Sequence, residues 1–291
     1  MATIGARLTS TGTLLTAGSF DETTQSTHSV KADGIFADEF DEITLASGTP
    51  SGGSVQLDGS TQTINVAGSG DFQFGTGDFT VEGWFYLKTV GYTRLWCFPD
   101  GDNVEVQGST LYYWNGGSPA SSGSGVVPQN QWFHVALVKN AGNVVVYLNG
   151  VSRITDSSPF NSATSRALAI GGEVNNTVGG QGAQSGTFDG YLDGYFTNFR
   201  VVKGTAVYTG TFSTPIAPFT AVTNTKLLLS VVNQATFLAD SSGTSKSVTN
   251  TGGAVFNAFT PLSTVYNGAM KQLSTGVLEV ADEFDEVTGI V

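Results

Sequence analysis

Phe133-His-Val-Ala-Leu-Val-Lys139 and Val144-Val-Val-Tyr-Leu148 form the stretch that decides the fold. Both runs are rich in β-branched and aromatic residues, which favour strands. The residues between them, Asn140-Ala-Gly-Asn143, have turn composition, so we expect the two runs to pair as an antiparallel hairpin. Asn149-Gly150 predicts a further tight turn directly after the second run. The stretch therefore predicts a series of short antiparallel strands.

Strand-like runs recur on both sides of this hairpin. The clearest are Phe79-Thr-Val-Glu-Gly-Trp-Phe-Tyr-Leu87, Ala167-Leu-Ala-Ile-Gly-Gly172, Phe196-Thr-Asn-Phe-Arg-Val-Val202 and Lys226-Leu-Leu-Leu-Ser230. Glycine accounts for 38 of the 291 residues, which is about twice its ordinary usage of ~7%. No window has the repeating apolar face of a long helix. We therefore predict an all-β protein in which two antiparallel sheets pack as a sandwich.

An acidic repeat brackets this β-rich region. Ala37-Asp-Glu-Phe-Asp-Glu-Ile-Thr44 returns as Ala281-Asp-Glu-Phe-Asp-Glu-Val-Thr288, and Phe20-Asp-Glu-Thr-Thr24 is a third copy of the core. The three cores together hold ten of the 24 acidic residues. A repeat at both ends of a chain, with unrelated sequence between, indicates that the ends share one task and the middle has another.

The repeats divide the chain into three expected parts. Residues 1–50 form an N-terminal arm with two copies, residues 51–262 form the body, and residues 263–291 form a C-terminal arm with the third copy. We expect both arms to be extended and β-rich, and to attach the protein to a neighbour by adding strands to an exposed sheet edge. The predicted contact residues are Phe20, Asp21, Glu22, Phe40, Asp41, Glu42, Phe284, Asp285 and Glu286.

Charge and cysteine content exclude several classes of function. The net charge of −12 disfavours binding to nucleic acid, which requires clustered Lys and Arg. Cys97 is the only cysteine, and its apolar neighbours indicate an inert, buried thiol in a reducing compartment. The sequence has neither a signal-peptide pattern nor a run of about 18 apolar residues. We therefore expect synthesis in a cytoplasm without a signal peptide, and no insertion into a membrane.

The body resembles the laminin-G-like, concanavalin-A-like lectin and glucanase family. Ser54-Val-Gln-Leu-Asp-Gly-Ser60 resembles the opening strand of that family, and Phe79-Thr-Val-Glu-Gly-Trp-Phe85 resembles its strand with Glu and Trp two positions apart. Trp132-Phe-His-Val-Ala-Leu-Val138 with Tyr147-Leu-Asn-Gly150 resembles its central hairpin, and Ala169-Ile-Gly-Gly172 a following strand. The pieces occur in the family's order, so the resemblance implies a jelly roll.

A longer segment resembles one branch of that family. Phe188-Asp-Gly-Tyr-Leu-Asp-Gly-Tyr-Phe-Thr-Asn-Phe-Arg200, continuing to Pro215-Ile-Ala-Pro-Phe219, is similar to the copy found in tailed-bacteriophage structural proteins. Met1-Ala-Thr-Ile-Gly-Ala-Arg7 is similar to the start of virion proteins from marine bacteriophages. The resemblance implies a non-enzymatic protein at the virion surface, either a capsid decoration or a tail or fibre component. Its expected partners are other virion proteins and further copies of itself.

A different function stays open, that of an adhesin which binds host cell-surface polysaccharide. Such binding uses exposed aromatic rings flanked by amide and hydroxyl groups. The candidates are Tyr92, Tyr112, Tyr113, Trp114 and Asn115. The alternative for these rings is packing inside the sandwich.

A polysaccharide-degrading enzyme on the same fold is the third interpretation. Related glucanases carry two Glu around an Asp on one strand, and this pattern is absent. His134 lies within a predicted strand and has no suitably spaced nucleophile, so a structural role is expected. We predict no catalytic residues.

No cofactor is expected to be required, although a structural Ca²⁺ stays open. Ca²⁺ takes about six to eight oxygen ligands, and related sandwiches often hold one such ion. Asp58, Asp189 and Asp193 are the candidate ligands. Thr197 occupies the position where the family usually has an Asp. The alternative is that these carboxylates make hydrogen bonds within turns.

Overall fold

A computed structural model describes residues 52–99, 102–116, 118–157, 166–173 and 190–262, together with short strands in the terminal regions. The chain divides into two compact units. One unit is Pro50–Ser263, the body, and the other comprises residues 1–49 and 264–291.

The described secondary structure is almost entirely β-strand. In chain order the strands are β1 (Ala2–Thr3), β2 (Arg7–Leu8), β3 (Leu14–Leu15), β4 (Ser19–Phe20), β5 (Ser54–Asp58), β6 (Thr63–Ser69), β7 (Phe79–Leu87), β8 (Tyr92–Cys97), β9 (Asn103–Gln107), β10 (Thr110–Trp114), β11 (Ala120–Ser121), β12 (Trp132–Asn140), β13 (Asn143–Leu148), β14 (Val151–Asp156), β15 (Arg166–Ile170), β16 (Asp193–Lys203), β17 (Thr225–Leu229), β18 (Val248–Thr251), β19 (Val255–Asn257), β20 (Lys271–Gln272) and β21 (Leu278–Glu279). One 3₁₀ turn, Gly70–Phe72, follows β6 and is capped by the Ser69 side chain. Within the described residues no helix is long and apolar enough to cross a membrane.

The body is a sandwich of two antiparallel sheets, which confirms the predicted fold class. Among the described residues, one sheet has seven strands in the order β11-β10-β9-β8-β15-β6-β18. An eight-stranded sheet has the order β14-β13-β12-β7-β16-β5-β19, with β17 paired to β16. In the other unit, the described strands form three antiparallel pairs, β1 with β4, β2 with β3, and β20 with β21.

The hairpin that decides the fold forms as the sequence predicts. β12 and β13 pair from Val135 opposite Leu148 to Asn140 opposite Asn143. The two residues of the turn, Ala141 and Gly142, have φ of 48° and 90°. Two consecutive positive φ values are the mark of a type I′ turn, whose twist matches that of the flanking strands.

The core lies between the sheets and is built by strand alternation. Alternate residues of each strand point to the same side, and the apolar set on the inner side is buried. Phe85 on β7 illustrates this packing. The centroid of its ring lies 5.9 Å from that of Trp96 in the opposite sheet and 6.3 Å from that of Phe133 on the neighbouring strand. Cys97 is also buried, beside Ala167 and Ala169.

The residues between β16 and β17 run across the outer side of the eight-stranded sheet. This stretch, residues 204–222, is the crossing segment. The Phe212 N–H donates to the Gly150 carbonyl at 3.1 Å, and the Phe219 N–H donates to Asn198 Oδ1 at 2.6 Å. The crossing segment therefore covers part of this sheet, whereas part of the seven-stranded sheet has an outer side lined by polar and aromatic groups.

Candidate functional site

The outer side of the seven-stranded sheet carries a cluster of aromatic and polar side chains. On β9, Val104 and Val106 are fully buried in the core, so alternation turns Glu105 and Gln107 outward. The same alternation applies to the neighbouring strands β8 and β10. We call the resulting patch the Glu105 face; it consists of Tyr92, Arg94, Glu105, Gln107, Tyr112 and Trp114.

Strand register places Glu105 at the centre of this patch. Its cross-strand partners are Arg94 on β8 and Tyr112 on β10. Gln107, two residues further along β9, lies opposite Tyr92. Directly opposed side chains on one sheet face are close enough to touch, so register alone assembles the cluster.

Glu105 fixes the orientation of the side chains around it. Its Oε1 accepts hydrogen bonds from Trp114 Nε1 at 2.7 Å and from Gln107 Nε2 at 2.8 Å. Its Oε2 accepts a longer one from the Tyr92 hydroxyl at 3.3 Å. Glu105 is only 2% exposed, and hydrogen bonds to a charged acceptor are stronger than neutral ones. The indole and the phenol are therefore held in place by the protein itself.

Arg94 connects the two carboxylates of this region. Its Nε lies 3.7 Å from Glu105 Oε2, and its Nη1 lies 2.8 Å from Glu173 Oε2. The guanidinium also lies over the Tyr92 ring, 5.3 Å from the centroid. Gly190 lies beside Arg94, and its carbonyl accepts a hydrogen bond from the Arg94 N–H at 2.8 Å. A Cβ on Gly190 would stand 3.0 Å from Arg94 Cγ, so a larger residue there would displace the arginine.

The Glu105 face has the chemistry of a surface that binds a sugar. Tyr92 is 38% exposed, and Tyr112 and Trp114 are half-buried. Aromatic rings provide apolar contact area for the C–H side of a sugar ring. The Arg94 guanidinium and the exposed Gln107 amide at the same surface can donate to sugar hydroxyl groups, and the amide oxygen can accept from them.

Three of the five predicted glycan-binding residues, Tyr92, Tyr112 and Trp114, lie together on this face. The prediction for Tyr113 is wrong, because its ring is fully buried and its hydroxyl donates to Asp102 Oδ1 at 2.9 Å. Neighbouring residues of a strand point to opposite sides, so Tyr113 faces the core when Tyr112 faces outward. Asn115 lies beyond the end of β10, where its Nδ2 donates to Asp156 Oδ2 at 2.8 Å.

The candidate calcium ligands make local contacts. Asp58 Oδ1 accepts hydrogen bonds from the N–H groups of Ser60, Thr61 and Gln62, at 2.9 to 3.1 Å. Burial acts to raise the pKa of Asp58, but these donors outweigh it and hold the pKa well below its usual range. Asp193 lies opposite Asp58 in the sheet, with Lys88 Nζ 3.7 Å from its carboxylate.

Within the described residues no group of three His, Cys, Asp or Glu side chains is arranged to hold a metal ion. Asp189, the third candidate ligand, lies outside the described residues. Calcium binding therefore stays a prediction from the resemblance.

The outer side of the eight-stranded sheet holds a charged network beneath the crossing segment. Glu82 is fully buried, and its Oε1 accepts from Arg200 Nε at 2.9 Å. Its Oε2 accepts from the Tyr208 hydroxyl at 2.8 Å and lies 3.2 Å from His134 Nε2. The network joins β7, β12, β16 and the crossing segment. His134 is fully buried within it, as expected of a structural residue.

Of the predicted contact residues in the arms, Phe20 is the last residue of β4 and pairs with Ala2. The other eight lie outside the described residues. Their role in attachment stays a prediction.

Sequence reasoning missed Arg94, Glu105, Gln107 and Glu173. Part of the signal was present, because Asn103-Val-Glu-Val-Gln107 alternates polar and apolar residues directly before the aromatic strand. Such alternation predicts a strand with one polar face, which places Glu105 and Gln107 beside Tyr112. Glu173 gives no such signal, since it reaches the patch through the fold rather than through strand alternation.

Comparisons with known proteins agree with this architecture. Residues 58–206, just over half of the 291 residues, match the family model described as the concanavalin A-like lectin/glucanases superfamily. No curated protein matches the sequence significantly.

Two solved structures show the same fold at low sequence identity. A heptameric SAP-like pentraxin from Limulus polyphemus has 15% identity and a TM-score of 0.50, with 75% of this chain and 100% of the pentraxin covered. A candidate carbohydrate binding protein from Bacteroides ovatus has 11% identity and a TM-score of 0.50, with 75% of this chain and 66% of that protein covered. Taken with the jelly-roll sandwich and the matched residues, the chain belongs to the concanavalin A-like lectin/glucanases superfamily.

Proposed function

We propose that the protein is a non-catalytic carbohydrate-binding sandwich and that the Glu105 face is its binding surface. The observation that carries this proposal is the set of aromatic rings on one sheet face, of which Tyr92 and Trp114 are held in place by Glu105. A surface fixed in advance loses little conformational freedom on binding, which favours affinity. The fold shared with the Bacteroides ovatus protein supports the same ligand class. The proposed ligand is a host cell-surface polysaccharide.

Two features support a role without catalysis. The carboxylates of Glu105 and Glu173 both contact the Arg94 guanidinium, so each is engaged in an ion pair. Glu82 has no access to a substrate, because it is fully buried beneath the crossing segment. Retaining and inverting glycosidases need two carboxyl groups on either side of the scissile bond. Release of reducing ends from host polysaccharide would contradict this part of the proposal.

The experiment is a glycan array probed with the full chain and three variants. Trp114→Ala and Tyr112→Ala remove one ring each from the Glu105 face, and we expect each to weaken binding at least tenfold. Phe259→Ala is the control, because it removes an exposed aromatic ring, 41% exposed, outside this face. Equal binding by the wild type, both ring variants and the control would contradict the assignment of the site.

A second proposal concerns the arms, and the repeated Phe-Asp-Glu segments favour it. We propose that they attach the protein, as a homo-oligomer, to other structural proteins of a bacteriophage particle, with the body displayed at the virion surface. Several weak contacts made by copies of one segment add up to firm attachment through avidity. The resemblance to tailed-phage structural proteins supports this proposal.

Removal of the first arm tests the attachment proposal. We expect a chain lacking residues 1–46 to keep a folded body, shown by an unchanged far-ultraviolet circular dichroism spectrum, and to be lost from purified particles. A matched chain with Phe20→Ala and Phe40→Ala should show the same loss. Normal incorporation of the shortened chain would overturn the proposal.

A further inference from the structure

The strand β18 is an edge of the seven-stranded sheet with free backbone groups. Within the described residues it pairs with β6 alone. The Ala67 N–H donates to the Ser247 carbonyl at 3.1 Å, so residue 247 and, by alternation, residues 249 and 251 turn their backbone groups toward β6. The N–H groups of Val248 and Asn250 therefore point away from the sheet, and no hydrogen bond among the described residues engages them. Such an edge can accept a further strand.

Three lysines gather at the beginning of this edge, around the carboxylate of Asp71. Lys246, two residues before β18, donates from Nζ to Asp71 Oδ2 at 2.6 Å, and Lys226 Nζ lies 3.8 Å from Asp71 Oδ1. Lys203 Nζ donates to the carbonyl of Gly70, the residue before Asp71, at 2.8 Å. The hydrogen bond from Lys246 is the largest cause that holds the pKa of Asp71 below its usual value. We call β18 with these three lysines the Lys246 edge.

The Lys246 edge is a positively charged region of a strongly acidic protein. Asp240 also lies here, where its carboxylate accepts hydrogen bonds from three backbone N–H groups. Three lysines against the two carboxylates of Asp71 and Asp240 leave a net charge of +1, whereas the whole chain carries −12. The side chains of Lys226 and Asp71 are 29% and 32% exposed, so solvent reaches these charges. The edge therefore attracts an acidic partner.

The other sheet edges of the body lack this combination. The strand β14 carries one Arg and one Asp, while β11 and β19 carry no charged residue. The strand β17 is already bonded on its open side, because the Ser241 N–H donates to the Leu228 carbonyl and the Thr244 hydroxyl donates to the Lys226 carbonyl, each at 2.8 Å. Among the described strands of the body, β18 thus offers free backbone groups and positive charge together.

Resting on the proposed attachment through the arms, we infer that the Lys246 edge binds the acidic repeat of a second copy of this chain as an added strand. Ala37–Thr44 and Ala281–Thr288 each place four acids around one Phe. Their carboxylates complement the three lysines, and their backbone can bond to the free N–H groups of Val248 and Asn250. The chain carries three repeat cores and its described body one such edge, so repeats are left for neighbouring copies.

Strand alternation gives the Phe of the repeat a place as well. In an extended repeat, Phe40 lies on the same side as Asp38 and Glu42. Val248 is partly exposed and packs against the core of the sandwich, so a Phe beside it would extend that core. An acid two residues from this Phe then faces the gap between the sheets, which Lys226 of the opposite sheet crosses to reach Asp71.

The test is sedimentation velocity of the full chain, with proline and alanine compared at one position. Asn250→Pro removes an outward N–H without removing a bond to β6, and proline at such a position blocks an added strand. Asn250→Ala is the matched control, because it loses the same side-chain bonds to Ala254 but keeps the N–H. We expect the wild type and Asn250→Ala to self-associate equally, and Asn250→Pro to do so at least tenfold more weakly.

A second comparison tests the charges. Lys226 and Lys88 are matched, since their side chains are 29% and 35% exposed and each lies near one carboxylate, at 3.8 and 3.7 Å. Lys226→Glu should weaken self-association at least fivefold, whereas Lys88→Glu, outside the Lys246 edge, should leave it unchanged. An added peptide of residues 37–44 should dissociate the wild-type assembly, and the same peptide with its acids replaced by Asn and Gln should not.

The possible results separate this inference from the attachment proposal. Equal self-association of Asn250→Pro and Asn250→Ala would overturn the inference, as would a wild type that stays monomeric. If circular dichroism shows that Asn250→Pro does not fold, equal self-association of Lys226→Glu and Lys88→Glu would overturn it instead. Attachment to other particle proteins is decided separately, by incorporation of the chain that lacks residues 1–46.

Discussion

Glu82 keeps its charge inside the protein because several partners surround its carboxylate. Burial acts to raise the pKa of Glu82, but the hydrogen bonds and charges of His134 and Arg200 outweigh it and lower the pKa. A carboxyl with a lower pKa in the folded than in the unfolded chain stabilises the fold above its unfolded pKa, near 4.5. That stabilisation is lost as the pH falls through the folded value.

The first prediction follows from this residue. Glu82→Gln should lower the free energy of unfolding at neutral pH by about 3–5 kcal/mol, because Arg200 is left buried without its counter-charge. The variant should also show a smaller loss of stability below pH 4.5 than the wild type. Urea unfolding measured at several pH values checks both.

Asp193→Asn is the matched control for that experiment. Asp193 is a half-buried carboxylate whose described ion-pair partner, Lys88, lies at 3.7 Å. Its removal should change the free energy of unfolding by no more than about 1 kcal/mol. An equal loss in both variants, or an unchanged acid dependence in Glu82→Gln, would contradict the role assigned to Glu82.

Consecutive residues show how far sequence reasoning reaches at this scale. The sequence analysis predicted Tyr112, Tyr113 and Trp114 together as glycan-binding residues. Strand alternation instead places the Tyr113 ring in the core. This alternation of inward and outward side chains could have been used to predict the burial of Tyr113 from the sequence. The ion pair of Glu82 with Arg200, which are 118 residues apart, could not have been predicted, because it depends on which strands become neighbours.

At the scale of elements, one of the contacts between the crossing segment and the sheet is made at a glycine. Gly150 ends the turn between β13 and β14 with φ of 76°, and its carbonyl accepts from the Phe212 N–H at 3.1 Å. A Cβ there would stand 1.8 Å from the Phe212 carbonyl oxygen. Gly142 occupies the equivalent position of the preceding turn with φ of 90° and has open space around it.

This pair of glycines gives the second prediction. Gly142→Ala should cost about 1 kcal/mol, the ordinary penalty of a left-handed conformation for a residue with a Cβ. Gly150→Ala should cost clearly more, because the crossing segment must also move away from the sheet. Thermal unfolding of both variants gives the comparison, and equal losses would contradict the close packing of the crossing segment.

Element positions were the most predictable part of the fold. The hairpin of β12 and β13 forms with the expected turn, because its β-branched runs and turn residues act over a short distance. The order of strands within each sheet was not predictable from these patterns. Several neighbours, such as β15 with β6, are joined by contacts between residues about 100 apart.

At the scale of the molecule, the two outer sides of the body differ in character. One side presents the Glu105 face, with Tyr92 38% exposed, while the other is partly covered by the crossing segment. Of the candidate site, three aromatic residues were predicted, and the alternation in residues 103–107 carried a signal for Glu105 and Gln107. The charged residues that orient them, Glu105 and Arg94, belong to separate strands and meet through register.

The central claim is that the Glu105 face binds a glycan. The most direct test is isothermal titration of the full chain with an oligosaccharide selected on the array, comparing wild type, Trp114→Ala and Phe259→Ala. We predict at least tenfold weaker binding for Trp114→Ala, equivalent to about 1.4 kcal/mol, and unchanged affinity for Phe259→Ala. Unchanged affinity for Trp114→Ala would contradict the claim.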